Sequence, residues 1–255
     1  MTAPVQTLTA ECVLDTKAIL GEGPVWRAET QDLVWVDIES ARVCCFNPAT
    51  GENQTWDVGE KPGLAVPTKR GDLILGTSIG FVRLDLASGD LLPIIDPEQD
   101  LPNNRFNDGK VDPEGRLWAG TMGVDEAPNV GSLYRLNRNL SADKLFDQVS
   151  VSNGMVWTSD QKTFYYIDSP TRRVDVFDCD MAGGTLSNRR TAFELPEGMG
   201  YPDGMCIDDE GMLWVALWQG WGVGRFAPGG ALLAKVDVPV ECVTSCCFGG
   251  ENWDE

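Results

Sequence analysis

A glycine-centred string recurs along this chain every forty to fifty residues, and this repeat restricts the possible fold more than any other feature. Five strings share one phase: GEGPVW, KPGLAV, FNDGKVD, SNGMVW and PDGMCID. The spacings of 40, 46, 45 and 50 residues separate their glycines, which are Gly23, Gly63, Gly109, Gly154 and Gly204. A period of this length is typical of folds in which each repeat packs against the next.

Each repeat contains four short apolar runs separated by turn residues. In the fifth repeat, PDGMCID is followed by MLWVAL, WGVGRFAP and LLAKVDV. Four short strands per repeat predict the blades of a β-propeller, and no segment with the period of a helix competes with them. We therefore predict an all-β fold, a six-bladed β-propeller, with residues 1–255 forming a single domain.

The sixth repeat is incomplete in this sequence. It begins at VTSCCFGG, where Ser245 takes the place of the glycine at a spacing of 41, and the sequence stops at Glu255. We expect the N-terminal run AECVLDTKAI to form the outer strand of this last blade and so close the ring. The middle strands of that blade are lacking, which leads us to expect a further C-terminal segment.

The formal charge argues against two classes of partner. With 39 acidic and 20 basic residues the chain carries a net charge of −19, so phosphate backbones and anionic membrane surfaces would repel it. The first twenty residues lack the basic start and apolar run of a leader, and no apolar segment reaches the ~18 residues of a membrane span. We expect a cytoplasmic monomer or weak homodimer, with no nucleic-acid or membrane partner.

The eight cysteines are expected to be reduced thiols. Two pairs, Cys44–Cys45 and Cys246–Cys247, are adjacent in strand-like sequence, and adjacent cysteines suit a disulfide framework poorly. A zinc site formed by Cys242, Cys246 and Cys247 is an alternative, although the C-x2-C pairing of structural zinc sites is absent.

The residues immediately before the repeated glycines are the candidate functional groups. They are Glu22, Pro62, Asp108, Asn153 and Asp203, and four of these five carry side-chain oxygens. The first strand of each blade lines the central channel of a propeller, so these side chains should converge. Asp-Gly and Asn-Gly are also ordinary turn sequences, but four oxygen donors in one repeat phase indicate more than turns. Clustered buried carboxylates are unfavourable unless a cation compensates them, which predicts a metal site.

This set of donors suits one divalent cation. Carboxylate and amide oxygens favour Ca²⁺, Mg²⁺ or Mn²⁺, and Zn²⁺ or Fe²⁺ would also accept them. The chain contains no histidine, which excludes Ser-His-Asp and Cys-His catalysis and the usual histidine zinc sites. Any hydrolysis would therefore depend on a metal and on carboxylates.

Several motifs resemble those of the SMP-30/gluconolactonase/LRE-like family. They include LGEGPVW, RFNDGKVDPEGRLWAGTM, FDQVSVSNGMVW, YPDGMCIDDEGMLWVA and TSCCFGG. The resemblance implies a six-bladed propeller whose axial metal is bound by Glu22, Asn153 and Asp203. The repeat phase includes the same three residues.

The resemblance also implies a substrate, a sugar lactone such as glucono-1,5-lactone, which is hydrolysed to the aldonic acid. Arg105 and Asn107 would contact the sugar, and Asp125, at the place of an acidic residue after the GTM motif, would hold its hydroxyls. The cation would polarise the lactone carbonyl and lower the pKa of an attacking water, whose proton Asp203 would accept as general base.

Two other functions are compatible with these residues. A calcium-binding regulatory protein without relevant catalysis would use the metal site alone and would not need Arg105 and Asn107. A propeller scaffold for partner binding would show no activity that is sensitive to a chelator.

Overall fold

The computed structural model describes residues 5–255, which form twenty-one β-strands. Within that range the only helical element is a 3-10 helix at Ser169–Thr171, and no helix is long and apolar enough to cross a membrane. The described chain divides into two compact units. The N-terminal unit comprises residues 13–111, 115–152 and 247–255, and the C-terminal unit comprises residues 5–12, 112–114 and 153–246.

The N-terminal unit contains three antiparallel sheets, and in each sheet four strands pair in chain order. The first sheet consists of β2 (Gly21–Arg27), β3 (Asp32–Asp37), β4 (Arg42–Asn47) and β5 (Glu52–Asp57). The second consists of β6 (Leu64–Pro67), β7 (Leu73–Thr77), β8 (Gly80–Leu84) and β9 (Leu91–Ile95). The third consists of β10 (Asn104–Val111), β11 (Leu117–Gly123), β12 (Gly131–Leu136) and β13 (Ala142–Val149). A four-stranded sheet in chain order is the blade of a β-propeller.

The C-terminal unit contains two further sheets of the same type. One consists of β14 (Ser152–Trp157), β15 (Thr163–Asp168), β16 (Arg173–Asp180) and β17 (Thr185–Glu194). The other consists of β18 (Tyr201–Ile207), β19 (Leu213–Trp218), β20 (Gly222–Phe226) and β21 (Leu232–Asp237). A fifth strand, β1 (Gln6–Thr9), lies on the open edge of β21 and is parallel to it.

The sheets confirm the all-β propeller fold, but the structure has five blades in residues 5–255, so the predicted sixth blade is wrong. Residues 238–255 contain no strand. The VTSCCFGG run accepts a hydrogen bond from Gly204 of β18 at Thr244, but the described chain supplies no further strands with which it could form a sixth sheet. The AECVLDTKAI run is not a strand either. The strand that covers the last blade is Gln6–Thr9, which pairs with the edge of the fifth sheet, where backbone groups of β21 would otherwise be open.

Alternating burial explains why these segments form sheets. In β3, Val34 and Val36 are fully buried, whereas Trp35 between them is partly exposed. In the N-terminal unit, both valines pack in one apolar cluster with Leu75 of β7 and Val82 of β8. Apolar burial of this kind stabilises the fold by about 25 cal/mol per Å² removed from water.

A repeated glycine allows the inner strands of the second and third sheets to meet. Gly63 precedes β6, and a Cβ added there would lie 2.7 Å from the backbone oxygen of Asn107 and closer still to that of Phe106. No side chain fits at that separation. At this position the repeat therefore encodes close strand packing rather than a turn.

Candidate functional site

The polar residues selected from the sequence lie near the beginnings of inner strands. Glu22 is on β2, Arg105 and Asn107 are on β10, Asn153 is on β14 and Asp203 is on β18. All five are at most 8% exposed. Burial of a polar group lowers stability unless the group is hydrogen-bonded or binds a ligand. These positions are therefore candidates for a functional site.

In the C-terminal unit, the strands that carry Asn153 and Asp203 pack closely against each other. A Cβ added to Gly154 would lie 2.6 Å from the backbone oxygen of Asp203, so the strands carrying the two residues are in direct contact. The glycine that follows Asn153 in the SNG motif thus has a physical role: it allows β14 to reach the Asp203 backbone.

Ser169 of the 3-10 helix is hydrogen-bonded to Asn153 and to the residue before Asp203. The Asn153 side-chain amide donates a hydrogen bond to Ser169 Oγ at 2.8 Å, and Ser169 Oγ donates to the Pro202 carbonyl at 2.6 Å. The first bond points the amide nitrogen of Asn153 towards Ser169, so the amide oxygen points away from Ser169. The second ties the same hydroxyl to the residue that precedes Asp203. Ser169 lies outside the repeated strings, so the repeat does not identify it.

In the N-terminal unit, Glu22 is a buried acid in an unfavourable electrostatic environment. Burial raises the pKa of Glu22 to about 8, and the charge of Asp108 adds to this effect. Two interactions oppose this rise in pKa. The Gly23 N–H donates to Glu22 Oε2 at 2.9 Å, and Arg105 contributes a positive charge. Burial and the neighbouring carboxyl group thus both disfavour the ionised form of Glu22.

Asp108 is the second acid of this group. Burial raises its pKa as well, although the charge of Lys110 and a 2.7 Å hydrogen bond from the Gly109 N–H partly compensate. The repeat phase included Asp108 among the oxygen donors, whereas the family motif left it out of the metal ligands. Its charge raises the pKa of Glu22, so the two carboxyl groups form one electrostatic cluster.

Arg105 and Asn107 are held by each other and by the backbone. The Arg105 Nη1 group donates to Phe106 O at 2.9 Å and to Asn107 Oδ1 at 2.8 Å, while Asn107 Nδ2 donates to Ser152 O at 2.8 Å. Burial lowers the pKa of Arg105, and the charges of nearby acids, Glu39 foremost, oppose that shift. The guanidinium is therefore fixed in position before any ligand binds.

The structure does not place the Asp125 carboxylate against Arg105. Asp125 is exposed and its Oδ1 accepts a 3.3 Å hydrogen bond from the Ala127 N–H within its own loop. The neighbouring Glu126, which has a left-handed backbone with φ of 57°, is the acid of this loop whose charge acts on Arg105. The predicted contact of Asp125 with a sugar stays a prediction, and Glu126 is a second acid that the motif did not select.

Glu98 is a buried acid that sequence reasoning missed. It is 8% exposed and accepts three hydrogen bonds: Asn104 Nδ2 at 3.0 Å, Thr121 Oγ1 at 3.0 Å and Tyr134 OH at 2.9 Å. These donors belong to β10, β11 and β12, so one carboxylate ties together three strands of the third blade. Asn104 immediately precedes Arg105, which links the network to the candidate site.

A cavity of about 250 Å³ adjoins this network in the N-terminal unit. Its lining includes Ser78, Asp96, Glu98, Arg105 and Thr121. At roughly 30 Å³ per water molecule, the cavity has room for about eight waters or a small polar ligand. Arg105 can therefore be reached from a space of ligand size, which polar and apolar side chains line together.

We expect Glu98→Ala to lower the free energy of unfolding by about 3 kcal/mol, because three buried donors would lose their acceptor. Tyr134→Phe, which removes one donor without leaving an unsatisfied acceptor on Glu98, should cost about 1 kcal/mol. Urea denaturation of both variants measures the difference. Equal losses would show that the carboxylate does not organise the network.

Acidic side chains and thiols do not form a three-ligand metal site in the described part of the chain. Among residues 5–255, no three acidic or cysteine side chains are grouped so that they could hold a metal ion. The alternative zinc site of Cys242, Cys246 and Cys247 is therefore not formed.

The chain is similar to several proteins of one family. The sequence model of the SMP-30/gluconolactonase/LRE-like region matches residues 20–255. Regucalcin from Xenopus laevis is 42% identical over 257 aligned residues, which cover 98% of this chain and 86% of that protein.

Solved structures agree with this similarity. One is a calcium-binding protein, regucalcin, from Agrobacterium tumefaciens, with a TM-score of 0.93, 26% identity, and coverage of 99% of this chain and 85% of that one. Another is a gluconolactonase from Xanthomonas campestris, with a TM-score of 0.77, 25% identity, and coverage of 91% and 80%. Together with the five blades and the GEG, SNG and PDG strings at the starts of inner strands, these matches show that the chain belongs to the SMP-30/gluconolactonase/LRE-like family.

Proposed function

We propose that this protein is a metal-dependent lactonase that hydrolyses sugar lactones such as glucono-1,5-lactone to the aldonic acid. One observation carries the proposal: Asn153 and Asp203, selected by both repeat phase and family motif, are buried on contacting strands. Glu22 is proposed as the third ligand of the cation, on the basis of the family motif and its place in the repeat.

The residues present fit a divalent cation. Glu22, Asn153 and Asp203 offer only oxygen atoms, which suits Ca²⁺, Mg²⁺ or Mn²⁺ and is accepted by Zn²⁺ and Fe²⁺. Burial raises the pKa of Glu22 to about 8, so a nearby cation would relieve a cost that the protein otherwise bears. When bound, such a cation polarises a lactone carbonyl and makes water more acidic.

Asp203 is proposed as the general base. Its carboxylate would accept a proton from the attacking water and return one to the ring oxygen as the C–O bond of the lactone breaks. The hydrogen bonds from Asn153 to Ser169 and from Ser169 to Pro202 would keep the Asp203 backbone in place during this transfer.

Arg105 and Asn107 are proposed to orient the sugar. Because the Arg105 Nη1 group is already held by Phe106 and Asn107, other N–H groups of the guanidinium would bind substrate oxygens without a large loss of side-chain freedom. Asp125, and beside it Glu126, would bind the sugar hydroxyls from the loop that follows β11.

Calcium binding without relevant catalysis is the second candidate function. The all-oxygen donor set favours it, and a solved relative is described as a calcium-binding protein. Such a protein would not need the fixed Arg105 and Asn107 pair, and this difference leads us to prefer the lactonase.

Proton release tests the proposal. Purified protein with added Ca²⁺, Mg²⁺, Mn²⁺, Zn²⁺ or Fe²⁺ should acidify a weakly buffered solution of glucono-1,5-lactone faster than spontaneous hydrolysis does. EDTA should return the rate to the spontaneous value, and excess cation should restore it. A cation that raises the melting temperature without any added proton release would favour the calcium-binding function instead.

A further inference from the structure

Two cysteine thiols meet in the C-terminal unit although they are 40 residues apart in the sequence. Cys206 lies on β18 and is 8% exposed, and Cys246 lies in the segment that follows β21 and is half-buried. Their Sγ atoms are 3.7 Å apart, and the Cys246 thiol also donates to the Trp214 carbonyl at 3.4 Å.

The segment that carries Cys246 runs along β18 without forming a strand. The Gly204 N–H donates to the Thr244 carbonyl at 2.7 Å, and Val243 packs with Ala216 and Val223 in an apolar cluster. This backbone hydrogen bond, the apolar contact and the bond from Cys246 to Trp214 help to position residues 243–246. These contacts hold the two thiols at a separation that needs little movement to reach the ~2.05 Å of a disulfide.

We propose that Cys206 and Cys246 form an oxidisable dithiol site in which a hydroperoxide produces a disulfide. The more accessible Cys246 thiolate attacks the peroxide, whose O–O bond breaks, to give a sulfenic acid and water. The Cys206 thiolate then attacks the Cys246 sulfur, the S–O bond breaks, and a second water leaves. With H₂O₂, two thiols and one peroxide become one disulfide and two waters.

Another cysteine pair shows why sequence proximity is not enough. Cys44 and Cys45 are neighbours on β4, and successive side chains of a strand point to opposite faces of its sheet. Burial also raises the pKa of the Cys44 thiol to about 11, so its reactive thiolate is scarce at neutral pH. Sequence adjacency thus gives a poor pair, whereas the fold makes a close one from distant residues.

The disulfide would tie residues 244–246 covalently to β18, three residues beyond Asp203. It would close a chain loop of about forty residues and so restrict the unfolded state, which should raise the melting temperature by several degrees. This inference does not depend on the proposed lactonase activity, because its readouts are mass, connectivity and thermal stability.

Mild H₂O₂ treatment of the purified protein tests the site. The intact mass should fall by about 2 Da, the loss of two hydrogens in one disulfide, and dithiothreitol should restore it. Peptide mapping without reduction should link the peptide of Cys206 to the peptide of Cys246, and the melting temperature should rise on oxidation.

Two matched serine variants identify the partners. Cys206→Ser should lose the mass change and the thermal shift, whereas Cys247→Ser, which alters the residue next to Cys246, should keep both. If Cys206→Ser does not fold, the wild-type peptide map decides the question alone. In the wild type, a gain of oxygen mass without a cross-link, or a link from Cys206 to a cysteine other than Cys246, would overturn the proposal.

Discussion

Replacement of Asp203 by asparagine is expected to lower kcat for glucono-1,5-lactone by about a hundredfold or more, the usual contribution of a positioned general base. The substitution keeps the shape of the side chain and one oxygen that could bind a cation. It removes the group that would accept a proton from water. Proton-release kinetics at saturating cation and substrate measure the loss.

The control for this experiment is Asp209→Asn. Asp209 is an exposed acid in the turn after β18, and its replacement makes the same change of charge away from the candidate site. It should leave kcat unchanged. If Asp203→Asn keeps the wild-type rate while the cation still raises its melting temperature, Asp203 is not the base and the proposed chemistry is wrong.

The repeated glycines predicted the inner strands because each glycine and the alternating strand residues beside it are neighbours in the sequence. A glycine is needed wherever two inner strands meet closely, as Gly63 and Gly154 show, and the strand alternation around it can be read directly. Glu22, Asn153 and Asp203 are therefore buried on inner strands as expected.

Features that depend on distant parts of the chain could not be predicted in this way. Glu98 accepts hydrogen bonds from three strands, and it lies outside the repeated strings that identify the other candidate residues. Glu126, whose charge acts on Arg105, has a left-handed backbone, which two consecutive acids in a loop do not reveal. The edge pairing of Gln6–Thr9 follows from an open edge on β21, not from the composition of that strand.

Gly154→Ala is expected to lower the free energy of unfolding by about 2 kcal/mol. The added Cβ would lie 2.6 Å from both the Asp203 backbone oxygen and the Met205 Cβ, and only the Ile167 side chain at 2.9 Å could move aside easily. Overpacking of this kind costs about 1–3 kcal/mol, which exceeds the ~0.4–1 kcal/mol that alanine contributes by restricting the unfolded chain. Urea denaturation, with the slope compared between variants, measures the change.

Gly229→Ala separates crowding from the general effect of replacing glycine. A Cβ at Gly229 would meet nothing within 4 Å, so this variant should be as stable as the wild type or slightly more so.

Because the Gly154 clash falls on the Asp203 backbone, Gly154→Ala should also reduce lactone hydrolysis under conditions where the protein is fully folded, and Gly229→Ala should not. A Gly154→Ala protein with wild-type stability and rate would mean that β14 can move away from β18 without cost, and the contact would then not position Asn153 beside Asp203.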